Sequence, residues 1–533
     1  MKPKKVRGSV FLLIGALFLL TIHAALADDK DKIQAELKPR AKGFSIGADT
    51  TFFLGPLTKD GFLDYVHALN ERLSRDIKPE ENANILLWKI MGPKPEGGRG
   101  MSGEYFQWLG MKAPAEEGDY YMRAWHFARD ILKIPQGPLM EEFFTQMTDS
   151  SARPWKEPQF VNIALCLKQN EKQMVALAEA VKRKKFYNPL VPWKEQNGQP
   201  GLLISGLLPN VQFIREFANA LSSRAMWHAG EGRVDEAWQD VLTCLRLGRL
   251  AGQGGCLIEG LVGTAIESIG QRAAVAVLFE TRPGLGEIRT WQRDLGNLPP
   301  RADLSDKGNL TERAMFLDCL QHIIHFGPKE VKQVLDINFG GGIQAQELPD
   351  KFEPQDWDPA FRLGNRWFNR IVSQMRQEKY PDRLKQWEAL DQELKEMKKE
   401  AKALFAKGNQ SKLNMAEKIG RLTVVALLPA YGKVHGAWAR AEQNHANLDL
   451  ALALKIYHLE KGAYPENLAS LAPAFIAKVP EDLFICKPLH YLPRPGGFLL
   501  YSVGANGKDD GGLTFGDTPP GDDLAIRSPL PKQ

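Results

Sequence analysis

The sequence predicts a mainly α-helical body followed by a small C-terminal α+β module with a three-stranded antiparallel sheet. Three observations carry this. Apolar residues recur at three- and four-residue spacing from about residue 60 to residue 460. Strand-like runs paired across a Gly-Gly turn lie after Leu489, while a strand-like Val334–Phe339 leads into Gly340–Gly342, which reads as a linker or as an anion cradle. The 533 residues, 44% apolar and 25% charged, are those of an ordinary globular chain long enough for several domains.

Residues 1–27 read as a signal peptide. Lys2, Lys4, Lys5 and Arg7 precede an uncharged run from Gly8 to Ala27, and Ala25-Leu26-Ala27 is a small-x-small cleavage site. About 20 uncharged residues also just span a bilayer, so an inner-membrane anchor through residues 8–27 is the alternative. Either way the basic flank stays inside and the body is exported, to the periplasm or cell surface. Residues 28–45 are charged and aperiodic and read as a linker.

The helical body is expected over 46–430. Phe62, Tyr65, Val66, Leu69 and Leu73 give one helical face, within a helix expected over Gly61–Ile90. Further helices are expected near Tyr120–Leu132, Pro138–Met147 and Lys168–Lys184. Val211–Ala229 and Val234–Ala251 flank Gly230-Glu231-Gly232-Arg233. With Gly232, Glu236 and Ala237 in a "Gly-x-x-x-Glu-Ala" run, this pair resembles a tetratricopeptide-type hairpin, although no second copy recurs at a fixed period. Leu257–Glu280 is almost wholly apolar with small residues, which places it at the centre of the helical core. Leu310–Phe326, Pro359–Gln377 and Pro381–Ala406 follow, with the Gly340–Gly342 loop between the first two. A long helix is expected from Leu413 to Lys461.

The C-terminal module is expected over 431–533. Strands are predicted at Leu489–Leu492, Phe498–Val503 and Leu524–Arg527, with Arg494-Pro495-Gly496-Gly497 as the turn between the first two.

Charge and motifs exclude several functions. Setting aside the four N-terminal cations leaves 65 basic against 64 acidic residues, so electrostatics give no case for a nucleic-acid partner. Five cysteines with no C-x-x-C pair make neither a disulfide framework nor a zinc cage. Cys244 and Cys256 are the one plausible local bridge, and buried free thiols are the simpler reading. No G-x-S-x-G elbow, H-E-x-x-H helix, P-loop or strand-linked G-x-G-x-x-G is present, and Gly252–Gly255 reads as a loop between helices. Asp318, His322 and His325 share one helix face, a spacing that can ligate a divalent metal or simply cap and pack. Glu71, Asp76, Glu80 and Glu81 are scattered acids of the kind a hydrolase could use, and a solvated helix end explains them equally well, so no catalytic pair is assigned among them.

The acidic loop is more specific. Ser502–Gly512 supplies Asn506, Asp509 and Asp510 on a glycine-rich path, and Asp522 and Asp523 return just before the last strand. Calcium takes six to eight hard oxygens at flexible geometry, which such a path can offer. Clustered carboxylates would repel without a cation. The other reading is a polar loop held by Asx turns.

Two resemblances follow from quoted motifs. Glu460-Lys461-Gly462-Ala463-Tyr464-Pro465, the strand pairs and the loop Gly504-Ala505-Asn506-Gly507-Lys508-Asp509-Asp510-Gly511 resemble the globular half of type II secretion major pseudopilins. That resemblance implies a calcium site at Asn506 and at Asp522 and Asp523; Asn506 replaces an acid and removes one charge. A pseudopilin begins with a prepilin motif and a filament helix, whereas here the helix is preceded by more than 400 residues, so the filament role does not carry over. Gly55-Pro56-Leu57, Asp60–Val66, Gly232–Trp238, Asp356-Trp357-Asp358 and Asn365-Arg366-Trp367 resemble uncharacterised exported families of planctomycete-type bacteria, which implies lineage and export but no activity.

The expected function is non-catalytic binding or assembly at the cell envelope, through an unknown protein or envelope partner, with no nucleic acid and with membrane contact only through an uncleaved N-terminus. An exported hydrolase with a site in the loops of the helical body is the alternative.

Overall fold

The computed structural model describes residues 43–95, 100–194, 201–206, 208–331, 348–404, 411–428 and 431–531. The expected signal peptide, most of the 28–45 linker, the strand-like Val334–Phe339 and the Gly340–Gly342 loop lie outside these residues. Helix makes up 58% of the structure, and the three-stranded antiparallel sheet lies at the C-terminus.

In chain order the helices are α1 Tyr65–Ser74, α2 Ala83–Met91, α3 Gly103–Leu109, α4 Ala124–His126, α5 Pro138–Asp149, α6 Val161–Gln169, α7 Glu171–Ala180, α8 Pro209–Gly230 and α9 Val234–Ala251. They continue as α10 Leu257–Glu280, α11 Leu285–Gly296, α12 Leu304–Lys307, α13 Arg313–Phe326, α14 Asp358–Met375, α15 Tyr380–Ala403, α16 Met415–Leu427 and α17 Tyr431–Lys461.

Three expected helices are interrupted, two near a proline and one through a distant contact. Gly61–Ile90 is two helices, with Pro79 between them; Asn82 restarts the second by accepting from the Asn84 amide at 3.1 Å. Lys168–Lys184 divides at Asn170, whose side chain clamps the Met122 backbone through bonds of 2.7 and 3.0 Å. The long helix expected from Leu413 ends at Leu427, two residues before Pro429, which lacks an N–H and cannot continue it. Tyr120–Leu132 contains only α4 and a π turn over Phe127–Ile131. Helix α11 has no counterpart among the expected elements.

Contacts divide the chain into two compact units that cross its linear order. The first comprises the described parts of Met1–Ala68, Phe316–Trp367 and Lys399–Ala426; the second comprises those of Leu69–Met315, Phe368–Lys398 and Leu427–Gln533. The expected 46–430 body is thus shared between them, while 431–533 falls wholly in the second.

In the first unit the N-terminal segment is held by residues far along the chain. Asp358 accepts from the Ser45 amide (2.7 Å) and hydroxyl (2.8 Å), and the Asn365 amide donates to the Thr50 carbonyl at 2.6 Å. Gln321 clamps the Leu63 backbone with two bonds of 2.9 Å. The Asp-Trp-Asp and Asn-Arg-Trp motifs therefore supply tertiary hydrogen bonds.

The second unit is built on α8, α9 and α10, with α11 and α17 packed on them. Gly232 (φ +79°) turns the chain between α8 and α9, a conformation that favours glycine. Small residues bring α9 and α10 close: a Cβ on Gly263 would fall 2.6 Å from the Gly248 carbonyl. Helix α10 is long and apolar enough to cross a membrane, but 67% of its most apolar window is buried in the core. Two buried ion clusters tie the bundle. Arg224 grips Asp240 with bonds of 2.6 and 2.9 Å. Glu267 sits between Arg249 (2.8 Å) and Arg301 (2.7 Å).

The C-terminal strands are β1 Glu481–Asp482, β2 Lys487–Pro488, β3 His490–Arg494, β4 Gly497–Ser502 and β5 Leu524–Ser528, with β3, β4 and β5 adjacent in that order. The antiparallel register pairs Arg494 with Gly497 across a two-residue turn, and Ser502 with Leu524. All six residues of β4 are buried. Buried amides on α17 wire the helix to the module: Asn447 donates to the Leu524 carbonyl at 2.9 Å, and Gln443 accepts from the Leu483 amide at 2.7 Å.

Candidate metal centre

The acidic loops leave the end of β4 and return at the start of β5, so the sheet fixes both of their ends. Asp482 anchors the first loop by accepting from the Val503 amide at 2.8 Å and, through its other oxygen, from the Phe484 amide at 2.9 Å. Gly504 (φ +69°) lies so close to the second loop that a Cβ there would stand 2.2 Å from the Asp522 carbonyl. This close approach brings acids about twelve residues apart into one site.

Three of the five expected residues converge. Asp510, Asp522 and Asp523 place carboxylate oxygens within 4.8 Å of one another, the one such group of three or more His, Cys, Asp or Glu found among the described residues. Asp523 is 2% exposed and accepts from the Gly512 (2.7 Å) and Asp510 (3.1 Å) amides. Burial pushes its pKa up; those amides pull the other way, and the Asp510 and Asp509 charges add to the rise. Asp510 accepts from the Asp522 amide at 3.1 Å. Asp522 accepts from the Asn506 amide through Oδ2 (3.1 Å), while its shielded Oδ1 has no hydrogen-bond donor among the described residues.

The other two expected residues form Asx turns. The Asn506 Oδ1 accepts from the Lys508 amide at 2.6 Å. The Asp509 Oδ1 accepts from the Gly511 amide (2.8 Å) and from the Tyr501 hydroxyl (3.1 Å). Asn506 therefore reaches the cluster through its backbone, and Asp509 stands outside it. The Asx-turn reading holds for Asn506 and Asp509, while Asp510, Asp522 and Asp523 form an acidic cluster.

The remaining candidates resolve into structural roles. His322 is buried, with Nε2 3.2 Å from the Glu330 carboxylate. His325 is exposed and stacks on Phe62 (4.0 Å) and Phe326 (4.1 Å). With Asp318 they form no ligand group among the described residues. Glu71, Asp76, Glu80 and Glu81 are all exposed. Cys244 and Cys256 are buried free thiols with no bridge between them, and Cys166, Cys319 and Cys486 are also free. Gly252–Gly255 connects α9 to α10, with Gly254 packed on Glu259.

Sequence reading missed one feature, a cleft of about 710 Å³ in the second unit, lined by Arg123, Trp125, His126, Phe144, Arg215 and Arg272 among others. The available signal was Arg272, the one cation in the mainly apolar α10, whose other charged residues are Glu259, Glu267 and Glu280.

The chain was compared with protein-family models, curated proteins and solved structures, and none of them matches it.

Proposed function

We propose that this is an exported, non-catalytic protein that acts by binding or assembly at the cell envelope, with a C-terminal module stabilised by calcium. Export rests on the basic, apolar and Ala-x-Ala order of residues 1–27. The observation that carries the calcium reading is the convergence of Asp510, Asp522 and Asp523 around a shielded carboxylate oxygen that lacks a donor among the described residues. Hard, flexible oxygen ligands of this kind suit calcium. The ion would offset the mutual repulsion of the three acids and fix a loop whose glycines make it entropically costly to order. The likeness of this stretch to the pseudopilin loop points the same way. The helical cleft supports binding over hydrolysis, because its one carboxylate, Glu216, spends both oxygens on Arg123 (2.7 Å) and the Ala124 amide (2.7 Å).

The test is a pair of thermal melts of the full chain, with calcium and with chelator, using magnesium as control. A ligand at 100 times its dissociation constant stabilises by about 2.7 kcal/mol. Asp522→Asn should remove most of that gain. An unshifted melt at saturating calcium ends the calcium reading.

A further inference from the structure

The cleft in the second unit carries an inference about what is bound. It lies among α4, α5, α8 and α10, and its volume of about 710 Å³ is within the range of small-molecule sites. Its charges are unevenly satisfied. Arg123 is committed, donating to Glu216 at 2.7 Å and to the Pro95 carbonyl at 3.2 Å. Glu216 is committed in return and is the cleft's one acid. Among the described residues Arg215 reaches only Gln212, one turn away, at 3.4 Å. Arg272 has no hydrogen-bond or ion-pair partner among the described residues. It is exposed towards the cleft yet enclosed enough that desolvation lowers its pKa, with no carboxylate to offset this. Exposed His126 and the rings of Trp125 and Phe144 complete the wall.

Two guanidiniums facing one cleft whose single acid is already committed elsewhere stand out in a body whose charges nearly balance. Guanidinium is the side chain best suited to planar, bidentate capture of a carboxylate or phosphate. The aromatic walls suit a ligand with an apolar or sugar-like body.

We propose that this cleft binds a small organic oxyanion, a carboxylate or phosphate ester, with Arg215 and Arg272 holding the anionic group and Trp125 and Phe144 covering the rest. This rests on the binding role proposed above and names its ligand chemistry.

Isothermal titration of the full chain with inorganic phosphate, acetate, glucuronate and neutral glucose tests it. At least one anion should bind, and glucose should not. Arg272→Gln and Arg215→Gln should each weaken that binding about tenfold or more, whereas Arg370→Gln, an exposed residue paired with Glu393, should not. Raising salt from 50 to 200 mM should weaken it further. Tighter phosphate than glucuronate identifies the phosphate class, and the reverse identifies the carboxylate class. Melting curves of the variants should match the parent, since Arg272 has no partner to lose. Anions that bind no better than glucose, or affinities within twofold in both arginine variants, overturn the proposal. Glucose binding in place of the anions would overturn the oxyanion class and leave the binding role standing. Arginine-dependent turnover of p-nitrophenyl phosphate would support the site and overturn the non-catalytic reading.

Discussion

Replacing Glu267 by alanine should destabilise the second unit more than any surface change. Glu267 is 4% exposed in the middle of α10, and Arg249 beside it is 7% exposed. Arg301 donates to its carboxylate at 2.7 and 3.1 Å. Arg249 Nε lies 2.8 Å from the same carboxylate but at an angle unsuited to a hydrogen bond, so that contact is ionic. Removing the carboxylate leaves two guanidiniums in a space shielded from water, with carbonyl contacts to Pro299 and Ala441 and the Glu442 charge near Arg249 as their remaining support. Breaking a buried ion pair from one side costs about 3–5 kcal/mol, mostly through the orphaned charge. At about 2.1 cal/mol/K per residue, a unit of roughly 400 residues should melt about 4–6 °C lower. The orphaned-charge account makes a second demand, tested by melting the triple variant Glu267→Leu, Arg249→Met, Arg301→Met. It should be more stable than Glu267→Ala alone, because no charge is stranded. A Glu267→Ala melt within about 1 °C of the parent, or a triple variant no better than the single, would refute the reasoning.

Two further outcomes follow from the same unit. Burial raises the Glu312 pKa to about 7, although the Leu257 amide bonded to it and the nearby Lys307 work against the rise. A raised folded-state pKa means stability fully present below the unfolded value near 4.5 and lost as pH climbs through about 7. Glu312→Gln should therefore match the parent at pH 4.5 and exceed it by about 1–2 kcal/mol at pH 8 in urea melts, the exposed part of the side chain trimming the full effect. Equal stability at both pH values would falsify this. Gly230→Ala should cost at least about 1–3 kcal/mol by overpacking, because its Cβ would fall 2.0 Å from the Trp155 carbonyl. Urea midpoints, with fluorescence reporting the Trp155–Trp227 stack, would show whether it is tolerated.

The most legible elements were those whose pattern is local. Val234–Ala251 and Leu257–Glu280 end where their apolar periodicity ends, and β4 follows a glycine turn whose chemistry is visible in four residues. Of the misread breaks, those at Pro79 and Pro429 were locally visible, and that at Asn170 depends on a distant partner. Nothing in the sequence around Asn170 shows that its side chain will bind the backbone at Met122 instead of continuing a helix. The acidic cluster divided in the same way. Clustering of acids in two loops is visible in sequence, but the diversion of Asp509 depends on Tyr501 in the adjoining strand. The cleft was hidden because Arg123, Arg215 and Arg272 come from segments with no shared pattern. Only a lone cation in an apolar helix hinted at it.

The place of α17 against α10 carries a consequence for how the chain is made. Gln271 of α10 donates to the Ala441 carbonyl of α17 at 3.1 Å, and much of the face between them is apolar. The ribosome finishes α10 long before α17 exists. On the order of 150 residues separate them, about 8–30 s of elongation at 5–20 residues per second. For that interval a helix apolar enough to pass for a membrane span has one flank uncovered. Collapse takes on the order of 100 μs or less, so the nascent chain folds with that apolar flank open until α17 arrives to cover it.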